Sequence, residues 1–178
     1  MSIGKNTPYH LVAIVIFLLL KVGYTVADNN DISFLLKPVD KIVGVVTNSN
    51  SQHLSESGYY HEKLNIIIDK SCSGFNFWAL CFMMLTFLVL KFFTKARSKI
   101  LVIPSVLVVT FFLTIGVNAS RILFSIFLQN ISTKFIGKTF SWLHQAEGVF
   151  IYLSFLILIY LVTEYLFKKL TQYYAKLT

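Results

Sequence analysis

The chain of 178 residues is 56% hydrophobic and only 13% charged, with a mean hydropathy of +0.69 and a formal net charge of +8. Soluble domains carry about 25% charged residues, so the composition excludes an ordinary water-soluble domain, and the length suits a single domain. A pI near 9.5 also fits nucleic-acid binders, but no basic-aromatic patch or recognition motif accompanies it, so no nucleic acid is expected as partner.

In chain order, the first apolar window is Tyr9–Val26, interrupted only by Lys21. It has no convincing small-residue cleavage site near Ala27 and reads as a retained helix rather than a signal peptide. A polar segment, 27–71, follows. Within it, Lys41–Val46 and Leu64–Ile68 are short β-branched runs flanking the turn-rich NSNSQHLSESG (48–58), which predicts a strand pair in a small ordered loop. Further windows occupy 75–93, 100–117 and 147–167, each close to the ~20 residues that cross ~30 Å of hydrocarbon. The apolar run continues past 117, but Gly116, Asn118, Ser120 and Arg121 interrupt it. Residues 118–145 are therefore expected at the outer surface of the membrane, partly as a short interfacial helix, with STKFIGKTF (132–140) as its loop. The predicted class is an all-α membrane protein, one integral domain over 1–178, with helices at about 9–26, 75–93, 100–117 and 147–167.

Basic residues in short loops set orientation. The connector KFFTKARSKI (91–100) carries four of them and no acid, and Lys168, Lys169 and Lys176 follow the last window. Those ends are expected inside the cell. Segment 27–71 is expected on the outer, periplasmic face of a bacterial inner membrane, with the lipid bilayer as its solvent.

This topology brings three chemically loaded residues to one depth on that outer face. Cys72 begins the second helix, Arg121 follows the third, and His144 precedes the fourth. A helix N-terminus favours a thiolate, the thiolate is the nucleophile, and histidine moves protons near neutral pH. Taken singly, each has a plainer reading. Cys72 is a small apolar filler, Arg121 snorkels to headgroups, and His144 caps a helix. Their conjunction on one side favours the chemical reading. Asn118, one turn before Arg121, faces the same side, either holding Arg121 or the substrate backbone or merely ending a helix. Glu147 is placed to orient His144 or cap its helix, and Ser71 and Ser73 are helix-start residues. A disulfide from Cys72 to Cys81 is not expected, since nine helical residues put Cys81 on the opposite face, ~13 Å along the axis. HQAE is not the HExxH zinc motif, so no metal is expected, and no cofactor fingerprint is present.

S-C-S-G at 71–74, N-A-S-R at 118–121 and H-Q-A-E-G at 144–148 occur in an order that resembles the exosortase/archaeosortase family of membrane cysteine transpeptidases. The similarity covers roughly 65–167, and the short length points to a minimal branch such as the exosortase K type. The resemblance implies a catalytic set of Cys72, Arg121 and His144, with no cofactor. It also implies membrane-anchored protein substrates bearing a C-terminal sorting signal. Those substrates would be cleaved through a Cys thioester for surface sorting. The competing reading is a non-catalytic membrane scaffold or assembly factor of an envelope or export system. A transporter is disfavoured because the central spans lack buried charges and broken midplane helices.

Overall fold

A computed structural model describes residues 3–135 and 141–175, with side chains described for 6–129, 131 and 146–173. Four stretches are long and apolar enough to cross a membrane: Asn6–Val26, Lys70–Val89, Ala96–Gln129 and Ala146–Tyr173. They belong to α1 (Ile3–Val26), α3 (Phe75–Val89) with the turn before it, α4 (Ala96–Phe135) and α5 (Ser141–Ala175). Helix α3 packs against α1, α4 and α5. Its Phe77, Cys81, Phe82, Leu85 and Leu88 fill the main core with Val102, Ile103 and Val106 of α4. By contrast α1 and α5 turn large apolar side chains outward, among them Leu19, Val22, Val149 and Phe150. An apolar surface that wide is stable against lipid, not water.

The bundle has two distinct ends. Asn6 donates to the Leu90 carbonyl, and Phe92 and Phe93 contact the Phe167 ring, so the start of α1, both sides of the 90–96 connector and the last turns of α5 share the basic end. At the opposite end lie the close of α1, a small subdomain formed by residues 27–74, the C-terminal half of α4 and the start of α5.

That subdomain holds α2 (Ser33–Thr47) and a three-stranded antiparallel meander of β1 (Ser51–Leu54), β2 (Gly58–His61) and β3 (Ile66–Ile68). Gln52 pairs with Tyr60 across β1 and β2, and Tyr60 with Ile67 across β2 and β3. Ile32, Leu36, Val39 and Val43 recur at helical spacing and bury one face of α2 against Ile68 of the sheet and Ile115, Ala119 and Ile122 of α4.

Three sequence expectations change here. Lys41–Val46 is helix, the second half of α2, because period-3.6 burial of Val39 and Val43 outweighs local β-branching. The expected loop 48–58 contains β1 and its turn, while the expected strand at 64–68 survives as β3. The separate interfacial helix at 118–145 is not formed, because α4 runs unbroken to Phe135. Its polar residues find partners in place of ending the helix. Thr114 and Ser120 hydroxyls donate back to the Thr110 and Gly116 carbonyls, and Asn118 is buried and bonded on both sides. The short helix outside the bundle is α2.

The subdomain is closed by a buried polar chain. His61 Nε2 stands 2.9 Å from Asp40 Oδ1, and among the described residues neither atom has a hydrogen-bond partner beyond this close pairing. His61 Nδ1 meets Ser49 Oγ at 2.8 Å, and that hydroxyl meets Thr47 Oγ1 at 2.7 Å. His61 is fully buried. Asp40→Ala is expected to strand His61 and cost ~1–3 kcal/mol, the usual penalty for a buried polar group left unpaired. Thermal melting in detergent, with proteolysis of the 27–74 segment alongside, checks this. An unchanged melting temperature would make the clasp energetically idle.

Candidate active site

The chain enters the site through Asp69–Gly74. Asp69 Oδ1 accepts from both the Ser71 N–H (2.9 Å) and the Ser71 hydroxyl (2.6 Å), winding Lys70–Cys72 into a single 3-10 turn. Tyr24 of α1 donates to the Lys70 carbonyl at 2.7 Å and bonds Ser73 Oγ at 3.1 Å, while Asn29 accepts from the Lys70 N–H at 2.7 Å. The Lys70 ammonium reaches the Ala27 carbonyl at 2.5 Å. Ser73, almost fully buried, accepts from the Phe75 N–H at 3.3 Å, while Gly74 holds the cap position of α3. Cys72 therefore does not open α3 as the sequence suggested. It closes the preceding turn, because Gly74 adopts φ +73°, a left-handed conformation that interrupts the path into the helix. The Cys72 side chain is half-buried, with Sγ 3.7 Å from Ser71 Oγ.

The Cys72 main chain is fastened from α4. Asn118 Nδ2 donates to the Cys72 carbonyl at 2.6 Å, and Asn118 Oδ1 accepts from the Tyr152 hydroxyl of α5 at 2.6 Å. The same hydroxyl accepts from Arg121 Nη1 at 3.1 Å, and the guanidinium lies over the Tyr152 ring with Cζ 5.2 Å from its centroid. Four groups from three segments thus form one chain: the Cys72 carbonyl, Asn118, Tyr152 and Arg121.

Glycines make this closeness possible. A methyl group built on Gly74 would stand 2.9 Å from Asn118 Cγ, and one on Gly148 would stand 2.8 Å from Arg121 Nε. Each outer motif thus ends in a glycine that makes room for a side chain of the middle motif. The interlock ties 71–74, 118–121 and 144–148 into one place, and unrelated sequence accidents would not fit one another so closely.

Of the residues singled out from sequence, Cys72, Ser71, Ser73, Asn118 and Arg121 meet here. Glu147 is half-buried in the first turns of α5. His144 lies in the first turn of α5, four residues before Gly148, and its side chain falls outside the described residues. Tyr152 was missed. Its signal was present, since 144, 148 and 152 repeat at four-residue spacing along one face of α5. Among the described residues no group of His, Cys, Asp and Glu side chains is gathered as a metal site, and both Cys72 and Cys81 are free.

The site's height follows from helix length. From Lys99 to Arg121 along α4 is ~33 Å at 1.5 Å per residue, about one hydrocarbon thickness. Arg121 therefore stands about one hydrocarbon thickness along α4 from Lys99 at the basic end.

The family model described as transmembrane exosortase (Exosortase_EpsH) matches residues 46–161, well over half of the chain and including all three motifs. The chain belongs to the transmembrane exosortase family. Searches of curated proteins and of solved structures return no match. The exosortase match begins near the end of α2, so it takes in the three-stranded sheet as well as the bundle from α3 onward. Family membership supports, in general terms, a transpeptidase-type role in the membrane.

Proposed function

We propose that the protein is a membrane-embedded cysteine peptidase and transpeptidase that removes the C-terminal sorting tail of exported, membrane-anchored proteins for surface sorting. The observation that carries this reading is the interlock of the three exosortase motifs, with Gly74 seated on Asn118 and Gly148 on Arg121. A scaffold would have no need of a half-buried thiol whose own carbonyl is held by a fully buried asparagine.

In the proposed mechanism the substrate's membrane helix docks beside the bundle and holds the scissile peptide at the headgroup level, exchanging diffusion for orientation. The Cys72 thiolate attacks the peptide carbonyl carbon, forming a C–S bond and a tetrahedral oxyanion. Arg121 donates to that oxygen, and Tyr152 and Asn118 hold the guanidinium and the Cys72 main chain in register. Collapse breaks the C–N bond, and His144 gives its proton to the leaving amine. An incoming amine, or water, then loses a proton to His144 as it attacks the thioester, and Cys72 departs as thiolate.

A hydroxylamine-labile acyl adduct on the Cys72 peptide, read by mass spectrometry after co-expression with a tailed substrate, is the direct test. An adduct on Cys81 in its place, or trimming that proceeds with Cys72 replaced, would overturn the assignment.

The proposed orientation puts this chemistry on the outer face of a bacterial inner membrane, because the connector 91–99 and the end of α5 are basic. In a background lacking both native cysteines, single cysteines at positions 50 and 136 should react with a membrane-impermeant maleimide in spheroplasts. Those at 96 and 175 should react only after lysis. The reverse pattern would move the site to the cytoplasm and end the sorting proposal.

A further inference from the structure

At the basic end, an apolar groove of about 520 Å³ opens between α1 and α4, walled by Pro8, Tyr9 and Val12 on one side and Ile100, Ile103 and Pro104 on the other. That is within the ~300–1,000 Å³ range of pockets that take small molecules. Beside it Lys99 is 6% exposed, yet among the described residues no carboxylate stands within ion-pair distance of it. Its ammonium donates to Asn6 Oδ1 at 2.5 Å and stands 5.6 Å from the centroid of the Tyr9 ring, the same ring that walls the groove. A buried cation held by one amide and one ring keeps an uncompensated charge, which is costly without a counter-ion. Lys91, Lys95 and Arg97 are exposed close by along the chain, and no acid interrupts them.

We infer that this groove is a binding site for an anionic phospholipid of the surrounding bilayer, with one acyl chain lying between α1 and α4 and the phosphate facing Lys99. The groove supplies an apolar slot between two spanning helices, and Lys99 supplies the charge that selects the headgroup. A substrate's transmembrane tail is the poorer occupant, since a spanning helix ~10 Å wide and ~30 Å long exceeds a slot of about 520 Å³. The inference does not depend on the site at the other end or on any catalysis there.

The test uses the full chain purified in detergent and titrated with phosphatidylglycerol or phosphatidylcholine of identical acyl chains, followed by native mass spectrometry and thermal melting. Wild type should bind phosphatidylglycerol about fivefold more tightly or better, the selectivity one basic side chain gives at a headgroup. Lys99→Arg, which keeps the charge, should retain that preference. Lys99→Met should bind the two lipids alike. Val12→Trp, which fills the slot, should weaken both. Equal binding of the two lipids by wild type would reduce the groove to an ordinary crevice and overturn the inference. A preference that survives Lys99→Met would do the same by assigning it to the exposed connector. So would displacement of phosphatidylglycerol by a synthetic sorting-tail peptide. Should Lys99→Met not purify folded, Val12→Trp decides, and undiminished lipid binding in that variant refutes the site.

Discussion

Cys72→Ala is expected to abolish trimming of a co-expressed tailed substrate while the protein still accumulates in the membrane. The stability half of this expectation rests on the turn, whose bonds are made by the Cys72 N–H and carbonyl and by Asp69, Ser71 and Ser73, not by the thiol. Removing Sγ leaves all of them intact and forfeits only its long 3.7 Å contact with the exposed Ser71 hydroxyl. The activity half rests on covalent chemistry, since no neighbouring hydroxyl can replace a thiolate without a base tuned to it. Cys72→Ser should therefore be nearly as inactive. Cys81→Ala is the internal control. Cys81 is wholly buried in the bundle core, so its loss should touch packing and leave trimming near normal. Trimming by Cys72→Ala, or failure of Cys81→Ala with the fold intact, would show the nucleophile to be misassigned.

The second large effect should come from the partners. Arg121→Ala and His144→Ala are each expected to lower the trimming rate ~100-fold or more, the scale of one oxyanion donor or one general acid–base group. Neither should lower it further when combined with Cys72→Ala, because groups that act as a unit lose function together. Two subtler variants separate position from presence. Tyr152→Phe removes the hydroxyl that joins Arg121 to Asn118 but keeps the ring beneath the guanidinium. Gly148→Ala pushes on Arg121 Nε, the flexible end of a side chain, so the fold should survive while the guanidinium shifts. Both should fall between wild type and Arg121→Ala in rate. Gly148→Ala should melt as wild type does, whereas Tyr152→Phe, which leaves the buried Asn118 Oδ1 without its donor, should also lose ~1–3 kcal/mol of stability. An Arg121→Ala variant that trims at the wild-type rate would remove Arg121 from the chemistry.

Much of the bundle was legible because hydropathy records the solvent directly: the apolar windows at 9–26, 100–117 and 147–167 each lie within a spanning stretch, and the window at 75–93 overlaps one that ends at Val89. What escaped the sequence depended on partners distant in the chain. Asn118 looked like the end of a helix because nothing local satisfies a buried amide, whereas the Cys72 carbonyl and the Tyr152 hydroxyl do so from elsewhere. Lys41–Val46 looked like strand because β-branching is a local signal, while the face that α2 buries against α4 is not. The motifs were visible as an ordered set, but their fit was not. Gly74 and Gly148 show their purpose only when the Cβ they lack would occupy the volume of another motif's side chain.

The length of α4 has a consequence for membrane thickness. A rigid rod joins Lys99 to Arg121, ~33 Å away, and it does not shorten. In a bilayer thinner than the usual ~30 Å of hydrocarbon, the rod must tilt or the lipid must stretch around it, at a fraction of a kcal/mol per Å. The proposed substrate helix would be measured against the same rod. One helical turn more or less in that helix moves its exit point by ~5.4 Å, enough to carry a peptide bond past the level of Arg121.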